Sequence, residues 1–426
     1  MQKIAIENGR IIDPANQSDS IGSLYIAEGH IIAVNETPGD FTPDIVIDAQ
    51  NQIVCPGFID MSTRLRQPGQ SHKATLKSET RAAASAGVTT LVLQADTKPA
   101  VDTPAILELI KDLADKADYP NIVTIGALTQ KLEGQELSPM LALKQAGCIA
   151  VGNAGKPVSN LLILRRAMEY AASHDLLLIY RPHEHSLGNK GCAHEGAVAT
   201  RYGLPGIPYT AETIALAQCL ELAKQTGCRV HFGQISCKRS LIKIQQAKKY
   251  GLDVSADVAI HQLHLTENDM EPFDSAYHVL PPLRSDQDKQ ALRDALSQSV
   301  ITVLCSDHQP HDLDAKLGAF PETEPGMASI ETLLSLMLKL VNDKTISLSQ
   351  GIAALTCNPA GILRLPSGSL SVGMIADICV FDAHMNWTID STTWKSKGLN
   401  TPFWGSTLSG RVTHTLQSGK IIYSLN

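Results

Sequence analysis

The chain has 426 residues, with 36 Lys+Arg against 43 Asp+Glu and a formal net charge of −7. At 43% apolar and 19% charged residues it has ample material for a large core, which excludes disorder as its main character. A mildly acidic chain without a long Lys/Arg run is a poor binder of nucleic acid or of an anionic membrane.

In chain order, residues 1–55 read as short strands: Lys3–Ile6, Ile11–Ile12, Ser23–Ile26, His30–Val34 and Ile45–Ile47. Asn8-Gly9, Glu28-Gly29 and Pro38-Gly39 punctuate them as turns. From 56 to 365 the pattern changes to strand-like runs alternating with helical ones. Thr89–Leu93 precedes Pro104–Ala117, Ile122–Ala127 precedes Pro139–Ala146, and Ile149–Val151 precedes Asn160–His174. Leu176–Tyr180 precedes Ala211–Thr226, and Arg229–Ile235 precedes Ser240–Tyr250. Leu252–Val258 follows, then helical Asp286–Leu296, the strand Ile301–Cys305 and helical Ile330–Asn342. Such alternation predicts a parallel sheet, and about eight repeats favour a closed (β/α)8 barrel of the α/β class. No GxGxxG opens any unit, which counts against a dinucleotide fold. Residues 366–426 return to strands, at Ala376–Phe381, Trp387–Ile389, Arg411–Gln417 and Lys420–Tyr423. The two β-rich ends are expected to meet in one small sandwich.

The N-terminus lacks the apolar core of a signal peptide, and no apolar stretch approaches the roughly 20 residues of a membrane span. Nine cysteines at irregular spacing without a CxxC pair fit reduced thiols in the cytoplasm. Cys55, Cys148 and Cys305 read as small buried hydrophobes.

Barrel chemistry sits where strands end. The segments at those places are Met61–Gly69, Gln94–Pro99, Gly152–Gly155, Arg181–His185, Gln234–Ser236 and Cys305–His311. Several of them carry a family resemblance. Pro56-Gly57-Phe58-Ile59-Asp60, Leu65-Arg66-Gln67-Pro68-Gly69, Glu79–Thr90, His194-Glu195-Gly196 and Gly203–Pro208 contribute to it. So do Pro281–Arg284, Asp307-His308-Gln309-Pro310-His311, Pro325-Gly326 with Ile330-Glu331-Thr332, and Asn358-Pro359-Ala360. Over Pro56–Asp377 the chain resembles the dihydroorotase branch of the amidohydrolase superfamily. That resemblance implies reversible opening of dihydroorotate to carbamoyl aspartate by zinc-bound hydroxide.

The departures from the family pattern fall on the metal ligands. The first-strand His-x-His is here Ser62 and Arg64, and the ligand carboxylate falls at Asn153. One ligand histidine aligns with Pro182 and another with Gln234, so that only the aspartate, Asp307, is kept. Hydroxyl and amide oxygens are weak neutral donors, proline has no side-chain donor, and a guanidinium cannot be deprotonated. The expectation is a chain without zinc or any other cofactor. His183 stands one residue beyond the aligned ligand and faces the other way unless a bulge intervenes. His231 is expected on the opposite face, His308 and His311 belong to the retained loop, and His185, His261 and His264 read as surface or packing histidines.

By resemblance Arg66 and His311 hold the carboxylate of dihydroorotate, with tethering of Arg66 by scaffold carboxylates as the alternative. Asp96 and Leu280 stand where asparagines are expected, and an acid at Asp96 would repel an anionic substrate. Arg64 is expected to fill the vacated metal position and to pair with Asp307.

Some bacteria carry a dihydroorotase-like chain that lacks the zinc histidines and serves as the non-catalytic partner of aspartate carbamoyltransferase. This sequence resembles that chain, including Cys305–His311 and Glu324-Pro325-Gly326. The resemblance implies a structural subunit of a hetero-oligomer in de novo pyrimidine synthesis. The alternative is an active dihydroorotase, or a related cyclic-amide hydrolase, with zinc on substitute ligands. A third reading is metal-free binding of a small carboxylate by Arg66 and His311.

Overall fold

Short strands of three to seven mostly apolar residues, alternating with segments apolar on one side, pack as an inner sheet under an outer layer of helices. A computed structural model describes residues 2–117, 121–158, 160–188, 190–270 and 273–425. The first five strands are β1 (Ile4–Asp13), β2 (Ser18–Ala27), β3 (His30–Val34), β4 (Ile45–Asp48) and β5 (Ile53–Pro56). The barrel strands begin with β6 (Phe58–Thr63), β7 (Val88–Leu93), β8 (Asn121–Ala127), β9 (Ala150–Gly152) and β10 (Leu177–Tyr180). A short parallel pair, β11 (Ala193–His194) and β12 (Gly206–Ile207), lies outside the barrel. The barrel resumes with β13 (Val230–Phe232), β14 (Val254–Ala259) and β15 (Val303–Cys305). The chain ends on β16 (Ile378–Thr388), β17 (Thr407–Gln417) and β18 (Lys420–Ser424).

The eight barrel strands run parallel in the order β6-β7-β8-β9-β10-β13-β14-β15. Past the end of β15, His308 donates its N–H to Ser62 O at 3.2 Å and accepts from Arg64 N at 2.9 Å, joining the last strand back to the first. Side chains alternate along each strand. Ile59, Met61, Val92, Ile125, Leu177 and Val303 pack together, with Leu363 of helix Cys357–Leu363 against them. Phe58, Leu91 and Leu93 belong instead to the larger core shared with the outer helices.

The two chain ends form one sheet of eight strands among the described residues, ordered β18-β17-β16-β5-β1-β2-β3, with β4 also on β1. The ends meet where β5 pairs antiparallel with β16, Cys55 opposite Cys379. Ile4, Ile6, Leu24, Ile26, Val54 and Val380 lie in its core. The Asn8-Gly9 turn expected from sequence is instead an irregularity inside β1, where the register shifts between Ile6 and Gly9 and Asn8 takes φ 61°. Ala376–Phe381 and Trp387–Ile389 likewise join into β16, with its shift between Asp382 and Asn386.

A helix not foreseen, Leu76–Ser85, follows β6 behind a capping box in which Thr75 and Ser78 exchange hydrogen bonds. All nine cysteines are free, and eight are buried, including Cys55, Cys148 and Cys305. Among the described residues no helix is long and apolar enough to cross a membrane.

Candidate functional site

At the C-terminal mouth of the barrel, Arg66 (φ 62°), Gln234 (φ 57°) and Asp307 (φ 49°) occupy the left-handed region. That conformation costs about 1 kcal/mol or more for an L-residue and persists where surrounding contacts enforce it. Here they do. The Gln234 N–H is fixed by Asp257 Oδ1 at 2.7 Å, and the loop after Asp307 is clamped by Asn400. Asn400 accepts from His311 N at 2.8 Å and donates to Gln309 O at 2.9 Å.

The strained backbone brings Ser62, Gln234 and Asp307 together. Asp307 Oδ1 accepts from Gln234 Nε2 at 2.7 Å, Gln309 Nε2 at 3.1 Å and Ser62 Oγ at 3.2 Å. Gln234 Nε2 also donates to Ser62 Oγ at 2.5 Å. Arg64 extends into the same buried space. Its Nε donates to Asp96 Oδ2 at 2.7 Å, and its Nη1 stands 3.6 Å from Asp307 Oδ1. The expected Arg64–Asp307 pairing is therefore present as an ion pair, but the hydrogen bond goes to Asp96. Nη1 has no hydrogen-bond partner. The physical reason is saturation: the Asp307 oxygen it faces already receives three donors.

The charges follow these distances. Burial alone would raise Asp96, but Arg64, in direct contact, holds it below the usual carboxylate range. Burial pushes Asp307 up to about 6, and the more distant Arg64, with Arg181 and Gln309, only limits the rise. Burial lowers Arg66 to about 10, helped by like-charge repulsion from Arg64. The acid at Asp96 is thus already neutralised by Arg64, a correction to its expected role in repelling an anion.

Arg66 is not tethered by a scaffold carboxylate. Its Nε donates to Pro310 O at 2.9 Å and its Nη2 to His311 Nε2 at 2.9 Å. Lys73 Nζ lies 3.2 Å from His311 Nδ1 and 2.5 Å from Glu324 Oε2. Burial and then Arg66, Lys316 and Lys73 push His311 down to about 2, so it is a neutral ring among cations. A cavity of about 600 Å³ opens beside it, lined in part by Lys73, Asp312, Lys316, Lys397 and Leu399. A second, of about 170 Å³, is lined in part by Arg181, Pro182, His183 and Arg284.

The other aligned positions are spread outward. Asn153 accepts from Thr129 Oγ1 at 2.8 Å and donates to Lys156 O and Pro157 O at 3.2 Å, so it shapes its own loop. His183 packs edge-on against His185, ring centroids 4.7 Å apart, and burial lowers it to about 4. His231 is held between Ser255 Oγ at 2.8 Å and Asp257 Oδ2 at 2.9 Å. His261 is buried and His264 half-buried, as packing histidines.

Sequence reasoning missed the frame around this centre. His308 Nε2 donates to Glu79 Oε2 at 2.7 Å, and His308 Nδ1 accepts from Ser329 N at 3.1 Å. Glu79 also accepts from Ser396 Oγ at 2.6 Å and Lys397 N at 3.1 Å. Glu331 accepts from Ser396 N at 2.8 Å and Lys395 N at 2.9 Å. These bonds tie the segment between β16 and β17 to the loop that closes the barrel. The available signal was Glu79 amid the Ala-rich stretch Arg81–Ser85; nothing in the local sequence pointed to Asn400.

The residues do not fit zinc. The donor set is one carboxylate, one amide and one hydroxyl, with a guanidinium in their midst, where a divalent ion needs deprotonatable ligands around it. Among the described residues no group of three or more His, Cys, Asp or Glu side chains is placed to hold a metal. What the centre offers chemically is a buried carboxyl near neutrality beside three guanidinium groups, Arg64, Arg66 and Arg181.

Comparison with known proteins accords with this fold. The family profile described as "Dihydro-orotase-like" matches residues 51–240. A dihydroorotase-like protein of Pseudomonas putida is 44% identical over 420 residues, covering 99% of each chain. A protein named dihydroorotase from Syntrophus aciditrophicus is 37% identical over 422 residues, again covering 99% of each. Among solved structures, an L-hydantoinase (dihydropyrimidinase) from Arthrobacter aurescens superposes with a TM-score of 0.89 at 21% identity. That match covers 100% of this chain and 96% of the hydantoinase and bears on the fold alone.

Proposed function

This chain belongs to the dihydroorotase-like family, and from that premise we propose that it is a member without hydrolytic activity, acting as a structural subunit of an aspartate carbamoyltransferase assembly in de novo pyrimidine synthesis. The observation that carries the reading is Arg64. Its guanidinium lies between Asp96 and Asp307, in the space where the family pattern calls for a metal-ligating histidine. A fixed positive charge there opposes a dication, and Ser62 and Gln234 supply only neutral donors. Without a bound ion to lower the pKa of water, no hydroxide forms near neutrality to attack a cyclic amide. A scaffold that holds its shape without its chemistry is suited to assembly.

Hydrolysis of dihydroorotate on substitute ligands is the second reading. It is favoured by the retained Asp307 and by relatives such as the Syntrophus protein, which is named dihydroorotase. One preparation separates the two. The purified chain is assayed for zinc by elemental analysis, for turnover of dihydroorotate in both directions, and for co-elution with the aspartate carbamoyltransferase catalytic chain. The proposal expects zinc-free protein, no turnover and a stable complex. Stoichiometric zinc with turnover would establish the hydrolase instead.

A further inference from the structure

Helix Lys238–Lys249, between β13 and β14, has the sequence Lys-Arg-Ser-Leu-Ile-Lys-Ile-Gln-Gln-Ala-Lys-Lys. Ser240, Leu241, Ile244 and Ala247 are buried against the barrel, as the spacing requires. The remainder carries five cations and no carboxylate. In a chain whose acids outnumber its bases by 43 to 36, this is a local inversion of charge.

None of the five cations is ion-paired with a carboxylate among the described residues. Lys248 Nζ donates to Val300 O at 2.8 Å, and the Arg239 guanidinium lies over the Tyr209 ring at 4.6 Å. Asp288, from the next helix, is engaged through Oδ1 by the Lys238 N–H rather than by a side-chain cation. Arg239 and Lys243, one turn apart, repel each other, a small cost to an isolated helix. Large apolar side chains stand among these charges: Ile242 is 49% exposed and Tyr250, just past the helix end, 82%. Ile242 falls one turn from both Lys238 and Gln246. An apolar centre with a charged surround is the anatomy of a protein interface, and the ridge is about 18 Å long. Polyanionic nucleic acid would meet a chain of net charge −7.

We propose that the outer face of helix Lys238–Lys249, with Tyr250, is the docking surface for an acidic patch on the partner chain. This rests on the partner reading above and adds to it the place of contact and the chemistry of the surface that fits. Attraction between the two patches would speed encounter and weaken with salt, while Ile242 and Tyr250 would be covered on docking.

The test is titration of the aspartate carbamoyltransferase catalytic chain with the full-length wild-type chain and with R239E/K243E/K249E, followed by sedimentation at low and high salt. K77E/R81E, on helix Leu76–Ser85, serves as the control, and thermal melts verify that each variant is folded. The proposal expects assembly that weakens with salt, is reduced at least about tenfold by the triple reversal, and is unaffected by the control pair. Assembly that survives the triple reversal overturns the docking surface and leaves the partner reading standing. No assembly with the wild-type chain overturns both. Wild-type protein that retains a single-stranded RNA, and loses it in the triple variant, while ignoring the carbamoyltransferase, overturns both in favour of nucleic acid.

Discussion

Glu79 and Asp307 are both fully buried carboxylates at the mouth of the barrel, and their surroundings treat them oppositely. For each, burial is the largest influence and works against ionisation. Glu79 overcomes it: His308, Ser396 and Ser78 donate at 2.6–2.7 Å, and its carboxyl stays below the usual range. Asp307 does not. Its donors, two amides and a hydroxyl, stand at 2.7–3.2 Å, and its cation stands 3.6 Å away because Arg64 gives its hydrogen bond to Asp96. The frame of the site is satisfied, while at its centre Asp307 lacks a cation in direct contact.

The sharpest way to break this comparison is Arg64→Met. It removes the cation in direct contact with Asp96 and facing Asp307, leaving only the more distant Arg66 and Arg181, and should cost about 3 kcal/mol in urea denaturation. Adding Asp96→Asn and Asp307→Asn to the same chain should recover only part of that loss, since the carboxylates no longer need neutralising but Arg66 and Arg181 lose them as countercharges. A loss below about 1 kcal/mol would place Arg64 among solvated surface pairs and remove the basis of the contrast. Glu79→Gln should cost less, about 1–3 kcal/mol, because an amide can accept through only one oxygen where His308, Ser396, Ser78 and Lys397 now share two. The same denaturation experiment checks it.

The smallest expected effect is a pH dependence at Glu331. Burial pushes this carboxyl up to about 8, beyond what the Ser396 and Lys395 N–H groups pull back. Because the folded value lies above the ordinary one, its contribution to stability is whole below the ordinary glutamate range and is lost as pH rises through about 8. The wild-type melting temperature should therefore decline across that interval. In Glu331→Gln the decline should be shallower over the same interval. Superimposable pH profiles for the two proteins would refute a raised Glu331.

Much of the architecture was legible because strand and helix leave different periods in the sequence. β7, β8 and β10 fall within a residue or two of the runs that announced them. Asn8-Gly9 misled because a residue pair suited to a turn also suits a bulge, and the partner strand β2 decides between them. The apolar run Arg229–Ile235 is longer than β13 because Gln234 leaves the strand through a left-handed backbone, enforced by Asp257 from the neighbouring strand. At the site, Ser62, Arg64, Gln234 and Asp307, singled out by the family resemblance among the segments at strand ends, lie together in the structure. Asn153, aligned with them, is turned into its own loop.

The sequence by itself determined the alternation of strand and helix that a barrel needs, the strand-rich character of both chain ends, and the poor metal-donor chemistry of Ser62, Arg64, Pro182 and Gln234. These follow from local periodicity and side-chain identity, which need no knowledge of distant neighbours. Only the tertiary structure decided that Arg64 gives its hydrogen bond to Asp96 rather than Asp307, and that Glu79 and Glu331 tie the segment after β16 to the barrel's closing loop. Those outcomes depend on distances between groups up to 318 residues apart in the chain, and in a buried site a difference of 0.9 Å, between 2.7 and 3.6 Å, separates a hydrogen bond from an ion pair too weak to offset desolvation.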